Sequence, residues 1–269
     1  MSTIGFVGAG NMAEALVKGI IAANIYARQQ VFVSDIRPER VIFVANKYGL
    51  VVARTNAEIA ERAETIVLSV KPQNMDEALQ SIKDAVKKEN LVISIAAGIR
   101  TARISAVLGD IPIVRAMPNT PALIGQGACA LFANDKAKPM LQRAKSIFSA
   151  VGKTVVVDDE DLIDAVTAVS GSGPAYYFLL MEEMIRAGIE LGLSSDIAKD
   201  LVLQTAKGAA LLAVESDKQG ETPAVLRQKV TSPGGTTEAA LKVFAEGQLG
   251  PLVEAALKRA CQRSRELSA

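Results

Sequence analysis

The stretch Ile4-Gly5-Phe6-Val7-Gly8-Ala9-Gly10-Asn11-Met12-Ala13 decides the fold, because it joins a short apolar run to a helical pattern through two glycines. This is the G-x-G-x-x-A form of the dinucleotide fingerprint. Gly8 permits a tight turn, Gly10 lets a pyrophosphate approach the backbone, and Ala13 lets the helix lie close to the strand. The free N–H groups of the helix N-terminus favour phosphate. The stretch predicts a dinucleotide site; a plain glycine-containing turn is the alternative.

Residues 1–160 alternate short Val- and Ile-rich runs with amphipathic helical patterns. The runs are nearly continuous in apolar character, as expected for strands buried on both faces. Because strands joined through helices pair in parallel, the pattern predicts a parallel sheet. The predicted strands are 4–7, 31–34, 65–70, 91–96, 111–115, 127–132 and 154–157, and the predicted helices are 11–23, 38–47, 56–62, 73–86, 101–108 and 136–150.

After about Asp161 the strand-like runs stop and helical patterns follow one another. We therefore predict an α/β Rossmann-type parallel-sheet domain over residues 1–160 and an all-α domain over residues 161–269. The Ala- and Gly-rich helices, as at Gly208, would pack closely against another subunit, and a tight monomeric bundle is the alternative. The predicted helices are 162–169, 175–191, 195–216, 223–230, 237–246 and 249–267.

Composition and charge exclude several classes of function. Lys and Arg number 30 against 29 Asp and Glu, a balance that gives no electrostatic reason to expect nucleic acid or an anionic membrane as partner. The chain has no His, which removes Ser-His-Asp chemistry and His-ligated metals. Cys129 and Cys261 alone cannot build a four-ligand zinc site, so no metal is expected. No targeting segment or run of ~18 apolar residues is evident, which favours a cytoplasmic protein.

The second predicted strand ends in Ser34-Asp35-Ile36-Arg37, close to the position at which dinucleotide-binding folds bind the adenosine ribose. Asp35 would accept hydrogen bonds from a ribose 2′-OH and favour NAD. Ser34 and Arg37, with Arg40 nearby, could hold a 2′-phosphate and favour NADP. Both sets are present, so NADH and NADPH stay open, and a solvated charged turn is the alternative reading.

Two further strands run into segments that suit a cofactor. They are Val70-Lys71-Pro72 and Ala96-Ala97-Gly98. Ligands of open parallel sheets bind beyond the carboxyl ends of the strands, and small residues there let a ribose or nicotinamide lie against the backbone. Lys71 is expected to contact the cofactor, although it could also be an ordinary loop cation.

Two segments in the predicted helical domain are rich in Gly, Ser and Thr and contain a Pro, which is unusual within or directly before a helix. Ser170-Gly171-Ser172-Gly173-Pro174 interrupts an apolar helical pattern, and Thr231-Ser232-Pro233-Gly234-Gly235-Thr236-Thr237 precedes a helix. In a Gly-rich turn that enters a helix, several N–H groups converge with the helix dipole. The second segment therefore predicts an anion site that suits a carboxylate, and an ordinary capped turn is the alternative.

On these segments the chain resembles the pyrroline-5-carboxylate reductase family, and the resemblance covers essentially the whole chain. The segments specific to the family are Arg115–Pro121 and Thr231–Thr237, and Val230 before the latter and Ala240, Leu241 and Phe244 after it also match. The supporting segments are 4–12, 70–72, 94–98 and 170–176.

The resemblance implies a fold, a reaction and an assembly. It implies a Rossmann domain, a helical dimerisation domain and a substrate held at the dimer interface, in a homodimer that many members assemble into a pentamer of dimers. The implied reaction is reduction of L-1-pyrroline-5-carboxylate to L-proline by hydride transfer from NADPH or NADH, the last step of proline biosynthesis.

The resemblance also implies the site residues. Together with the strand-end segments above, it gives the candidate cofactor residues Gly8, Gly10, Asn11, Met12, Ser34, Asp35, Arg37, Asn56, Val70, Lys71, Pro72, Ala96, Ala97, Gly98 and Asn119. Those for the substrate are Ser232, Gly234, Gly235, Thr236 and Thr237, with Thr237 facing the ring nitrogen and Ser232 and Thr237 as the catalytic pair.

Two other functions fit the sequence less well than this reductase activity. β-Hydroxyacid dehydrogenases share the domain order but carry a catalytic Lys on the first helix of the second domain, and here residues 175–191 contain only Arg186 as a basic residue. A non-catalytic nucleotide sensor would not need the hydroxyls of Ser232, Thr236 and Thr237. The missing His also fits an imine substrate, because hydride addition to a protonated imine needs no proton donor at the reacting centre.

Overall fold

The computed structural model describes residues 2–268, and its central feature is an eight-stranded sheet in the order β3-β2-β1-β4-β5-β6-β7-β8. The described residues fall into two compact units, one within Met1–Pro174 and Lys258–Ala269 and the other Ala175–Leu257. The whole sheet lies in the first unit. Its strands are β1 (Ile4–Val7), β2 (Val31–Ser34), β3 (Val51–Val52), β4 (Thr65–Leu68), β5 (Leu91–Ser94), β6 (Ile113–Met117), β7 (Gly127–Ala133) and β8 (Gly152–Val156).

Helices connect the strands of the first unit and make up the second unit. The helices up to residue 166 are α1 (Asn11–Ala22), α2 (Pro38–Tyr48), α3 (Asn56–Arg62), α4 (Met75–Ile82), α5 (Thr101–Leu108), α6 (Leu141–Ser149) and α7 (Leu162–Val166). A single π-helical turn, Thr167–Gly171, follows α7. The remaining helices are α8 (Gly173–Glu190), α9 (Ser195–Asp217), α10 (Pro223–Lys229), α11 (Thr236–Glu246) and α12 (Leu249–Ser268).

Both faces of the sheet are covered, which explains the continuous apolar runs. Successive side chains of a strand point to opposite faces. In β1, Phe6 therefore packs in one core cluster with Leu16 of α1, while Val7 packs in a second cluster with Ile59 of α3. The four side chains in these two clusters, Phe6, Val7, Leu16 and Ile59, are all buried. The predicted Rossmann-type α/β domain followed by helices is confirmed.

Strand pairing departs from the prediction at β7. Strands β1 to β6 pair in parallel, but β6 and β7 pair antiparallel, with Val114 opposite Ala133. Parallel strands need a crossover of a dozen or more residues, and only a 3₁₀ turn, Thr120–Ile124, lies between β6 and β7. The chain therefore reverses there.

Two local features also differ from the sequence pattern. The two-residue edge strand β3 was not predicted, because Val51–Val52 is too short to show a period. The single helix predicted over 136–150 is a 3₁₀ segment, Asp135–Met140, followed by α6, since Pro139 cannot donate a helical hydrogen bond. The predicted domain boundary at residue 160 remains a prediction.

A half-buried carboxylate joins the first two helices. Glu14 of α1 accepts hydrogen bonds from Arg40 Nη2 (2.5 Å), Lys47 Nζ (2.8 Å) and the Tyr48 hydroxyl (3.0 Å), all on α2. Burial raises the pKa of the Glu14 carboxyl, but the hydrogen bonds from Lys47, Arg40 and Tyr48 outweigh it and lower the pKa from 4.5 to about 2. The ionised carboxylate therefore stabilises the fold at neutral pH.

Replacement of Glu14 by Gln is expected to lower the free energy of unfolding by about 3 kcal/mol at pH 7. A depressed carboxyl pKa contributes stability that is complete above 4.5 and is lost as the pH falls through about 2. The difference between wild type and variant should therefore shrink to about 1 kcal/mol at pH 3. Urea unfolding at several pH values measures both effects.

Glu39→Gln is the matched control, because Glu39 is an exposed carboxyl on the same helix as Arg40. It should change the free energy of unfolding by no more than about 0.5 kcal/mol. Equal losses in the two variants would show that net charge, and not the contacts of Glu14, is responsible.

Candidate active site

Parallel strands bring several of the predicted cofactor residues to one edge of the sheet. The carboxyl ends of β1, β2, β4 and β5 lie side by side, and we call this the nucleotide edge. Strand order changes direction between β1 and β4, and ligands of open parallel sheets bind in the crevice outside such a point. The loops that follow these strands therefore form the first candidate site.

The turn after β1 is fixed by close backbone contacts. Gly8 has φ +98°, and a Cβ atom there would lie 2.8 Å from the carbonyl oxygen of Ser69. The Gly8 N–H donates to the Ser34 carbonyl (2.9 Å), and the Ser69 hydroxyl donates to the Gly8 carbonyl (2.6 Å). Ser69 was missed in the sequence, although a hydroxyl residue directly after β4 is a usable signal.

Gly10 has a different role from Gly8. Its backbone conformation is ordinary, with φ −65°, and a Cβ atom there would meet nothing within 4 Å. It is the N-cap of α1 and supplies no side-chain cap, so its missing side chain leaves open space next to the first N–H groups of the helix. Exposed Asn11 and half-buried Met12 follow it. This open cradle fits a pyrophosphate.

Asp35 ties the end of β2 to the same turn. Its carboxylate accepts hydrogen bonds from the Ala9 N–H (2.8 Å), the Arg37 N–H (3.0 Å) and Arg37 Nε (3.1 Å). Burial raises the pKa of the Asp35 carboxyl, but the hydrogen bonds from Arg37 and Ala9 outweigh it and hold the pKa below its usual range. A negative charge therefore stands beside the predicted ribose position.

The other predicted residues at the end of β2 have partners of their own. The buried Ser34 hydroxyl donates to Asn56 Oδ1 (2.6 Å), and the Asn56 amide donates to the Ser81 hydroxyl (2.9 Å). Arg40 donates through Nε to the Ala9 carbonyl (2.7 Å) and through Nη2 to Glu14. The structure thus brings Ser34 and Asn56 together, and it directs Arg40 to the glycine turn.

The loops after β4 and β5 complete the nucleotide edge. Val70 is half-buried, and Lys71 and Pro72 are exposed. After β5, half-buried Ala97 lies between buried Ala96 and Gly98. These loops follow neighbouring strands, as the sequence predicts.

Asn119 braces the loop after β6. Its side-chain amide donates to the Ser170 carbonyl (3.0 Å), and its Oδ1 accepts from the Ala128 N–H (2.8 Å). The residue is only 9% exposed, and the Ser170 carbonyl belongs to the π-helical turn after α7. Its predicted contact with the cofactor remains a prediction.

The second candidate site lies in the second unit, at the start of α11. Gly234 has φ +70°, and the Gly235 N–H donates to the Ser232 carbonyl (3.0 Å), which closes a turn directly before Thr236 and half-buried Thr237. The Gly234 N–H donates to the Glu238 carboxylate (2.7 Å), so the turn already holds a carboxylate.

An open cavity of about 560 Å³ lies beside this turn. Glu238 and Lys242 line it together with the two glycines. The sequence analysis missed both side chains, although their spacing of four places them on one face of α11. A cation and converging N–H groups beside a cavity suit an anionic ligand.

Over residues 2–268, no group of three or more Cys, Asp or Glu residues is arranged to hold a metal ion. In the same part of the chain, every helix is too short or too polar to cross a membrane.

Comparison with known protein families gives two matches along the chain. A family model described as pyrroline-5-carboxylate reductase dimerisation matches residues 160–267. A second, described as NADP oxidoreductase, coenzyme F420-dependent, matches residues 3–98. The two models divide the chain in the order that the sequence predicts.

Relatives and solved structures that align over the whole chain include pyrroline-5-carboxylate reductases. A pyrroline-5-carboxylate reductase of Pseudomonas aeruginosa is 50% identical, and the alignment covers 100% of this chain and 98% of that protein. A solved structure of such a reductase from Coxiella burnetii superimposes with a TM-score of 0.93 at 42% identity, covering 100% and 99%. A solved structure of a pyrroline carboxylate reductase from Plasmodium falciparum, with NADP bound, superimposes with a TM-score of 0.86 at 31% identity and covers 100% of this chain and 98% of that chain.

Gly10→Ala is expected to weaken binding of a nicotinamide dinucleotide at least about tenfold, because its Cβ would enter the space next to the α1 N-terminus. The backbone at Gly10 suits any residue, so the free energy of unfolding should stay within about 0.5 kcal/mol. Titration by nicotinamide fluorescence and urea unfolding measure the two quantities.

Gly8→Ala is the contrasting variant. Because Gly8 has a left-handed φ and the Ser69 carbonyl leaves no room for a Cβ, this variant should lower the free energy of unfolding by about 1–3 kcal/mol. Similar stability losses in both variants, with intact nucleotide binding in Gly10→Ala, would contradict the separate roles of the two glycines.

Proposed function

The chain belongs to the pyrroline-5-carboxylate reductase family, and we propose that its two candidate sites carry out the family's reaction. The chain reduces L-1-pyrroline-5-carboxylate to L-proline with a hydride from NAD(P)H, in proline biosynthesis. The observation that carries the residue assignment is the turn before α11, whose Gly234 N–H holds a carboxylate.

The nucleotide edge is assigned to the cofactor. Open space at Gly10 and the N–H groups of α1 take the pyrophosphate, and the residues after β2 and β4 take the adenosine and the second ribose. When bound, the nicotinamide supplies the hydride. The assigned residues are Gly8, Gly10, Asn11, Met12, Ser34, Asp35, Arg37, Asn56, Val70, Lys71, Pro72, Ala96, Ala97, Gly98 and Asn119.

The turn before α11 is assigned to the substrate. The N–H groups of Gly234 and Thr236 bind the carboxylate in place of Glu238, and the Ser232 hydroxyl adds a donor, while the Gly235 N–H closes the turn on the Ser232 carbonyl. The half-buried Thr237 then faces the ring nitrogen with its hydroxyl. This turn lies in the second unit, which has its own helices.

The chemistry of an imine explains why these groups suffice. Reduction of a ketone builds charge on oxygen, and such sites need an acid. A protonated imine accepts the hydride at carbon and becomes a neutral secondary amine, so no proton has to reach the nitrogen. The protein binds the carboxylate, orients the ring and excludes competing geometries. A chain without His can do this.

The helical unit is assigned to self-association. The family-model match identifies a dimerisation region and supports a homo-oligomer. On α8 the consecutive residues Tyr177 (67% exposed) and Phe178 (60%) lie open within the single chain, as do Leu211 and Leu212 of α9. Apolar surface of this kind marks an interface. We assign a homodimer as the basic unit, with a pentamer of dimers as the larger assembly.

Two free thiols, Cys129 and Cys261, support a reducing compartment, and we place the reaction in the cytoplasm.

The decisive assay is oxidation of NADPH and of NADH by the purified protein, with and without added pyrroline-5-carboxylate. Loss of nicotinamide absorbance should require the imine, and proline should accumulate in equal amount. Comparison of the two oxidation rates in the same experiment shows which cofactor the protein prefers. Nucleotide binding without any turnover would contradict the proposed function and point to a sensor.

Thr237→Ala is expected to lower kcat about 100-fold while the dissociation constant of the cofactor stays within about twofold. The reason is that the hydroxyl is assigned to the substrate nitrogen and not to the nucleotide edge. Thr237→Ser keeps the hydroxyl and should restore most of the rate. Unchanged turnover in the Ala variant would remove Thr237 from the mechanism.

Light scattering of the purified protein should give a mass of at least twice the chain mass of 28.3 kDa. An active species with the mass of one chain would contradict a site shared between subunits.

A further inference from the structure

The last turns of α12 lie against the loop after β5. Residues from Lys258 onward belong to the first compact unit, together with the sheet. Gly98 has φ +73°, and a Cβ atom there would lie 2.8 Å from the carbonyl oxygen of Leu267. The backbones of Gly98 and Leu267 are therefore in direct contact, with no room for a side chain between them.

One helical turn before Leu267, Ser264 enters a buried group of polar side chains, the Arg115 cluster. The Ser264 hydroxyl donates to the Asp164 carboxylate (2.6 Å), and both residues are buried. Arg115 is 2% exposed; its Nη1 donates to Glu160 (3.3 Å), and its Nη2 lies 3.9 Å from Asp164. The cluster consists of Thr101, Arg115, Glu160, Asp164 and Ser264.

The Arg115 cluster also fixes the far end of the loop after β5. The two carboxylate oxygens of Glu160 accept from the N–H and the hydroxyl of Thr101, each at 2.8 Å. Thr101 is the first residue of α5, three positions after Gly98. The loop is thus held at Thr101 by Glu160 and at Gly98 by the last turn of α12.

Ser264 supplies the one short hydrogen bond that Asp164 receives from outside its own helix among residues 2–268. Arg115 Nη2, at 3.9 Å, is too far from Asp164 to donate a hydrogen bond to it, and within the described part of the chain this nitrogen has no hydrogen-bond partner. A buried carboxylate that loses such a donor pays its desolvation penalty or moves. Loss of the Ser264 hydroxyl would therefore release the last turn of α12 from α7, and with it the contact at Gly98.

We propose that Ser264 is a positioning residue for the nicotinamide cofactor. Through Asp164 it holds the last turn of α12 on Gly98, and this contact fixes the loop Ala96–Gly98. Ser264 acts through these groups and does not touch the reacting atoms. The inference rests on the proposed function, since it takes this loop as a cofactor contact, and it gives α12 a part in cofactor binding.

The test measures the dissociation constant of NADPH and NADH by nicotinamide fluorescence, together with kcat and the KM of both substrates. Ser264→Ala should raise the cofactor dissociation constant about tenfold, equivalent to about 1.4 kcal/mol. The KM for pyrroline-5-carboxylate should stay within about twofold. A general loss of folded protein would instead lower kcat and leave both constants unchanged.

Ser268→Ala is the matched control, because the Ser268 hydroxyl, on the same helix, donates to the Ser264 carbonyl of its own helix. It should keep the cofactor dissociation constant of the wild type. Ser264→Thr keeps the hydroxyl and should restore binding. If Ser264→Ala does not fold, Ser264→Cys decides: it keeps a side chain of similar size but offers Asp164 only a weak donor, and it should also weaken cofactor binding selectively.

A folded Ser264→Ala protein that binds both cofactors as tightly as wild type would overturn the proposal. If the Ala variant does not fold, a folded Ser264→Cys protein with unchanged cofactor binding would overturn it. Neither result affects the proposed function, which fails only if the wild-type protein binds no nicotinamide cofactor or does not consume it with the imine.

Discussion

The passage of the chain from β1 into α1 depends on one close contact, the backbone of Gly8 against the carbonyl of Ser69. At φ +98° and with no room for a Cβ, only glycine fits there. The same turn receives the Asp35 carboxylate and the Arg40 guanidinium through the backbone of Ala9. The ends of β1, β2 and β4 are therefore held in a fixed relation before any ligand binds.

Charge at the nucleotide edge is balanced within the protein. Asp35 is matched by Arg37, and Glu14 by Arg40 and Lys47. The cations that the sequence offers for a 2′-phosphate are thus already engaged with carboxylates. In the proposed site, binding of the dinucleotide would therefore rely on the N–H groups at the start of α1 and on shape, which suits a chain whose net charge is +1.

The local sequence pattern predicts where strands and helices lie, but it does not predict which strand pairs with which or which side chains meet. Residues 4–7 and 31–34 are predicted as strands at the bounds that the structure shows, because apolar runs between glycines and polar turns carry that signal. The antiparallel β7 depends on how the chain reverses after β6, which no period encodes. Likewise the spacing of Asn119 and Ser170 says nothing of the hydrogen bond between them.

The same limit applies to the candidate site. Motifs place the glycines and hydroxyls at strand and helix ends. They do not predict that the Gly234 N–H donates to the Glu238 carboxylate, or that the Ser69 hydroxyl donates to the Gly8 carbonyl. The bond between Ser264 and Asp164 spans 100 residues of sequence. During synthesis on the ribosome, the sheet unit must therefore wait for residues translated after α8 to α11, so the loop Ala96–Gly98 can meet its contact with Leu267 only after the helical unit has been made.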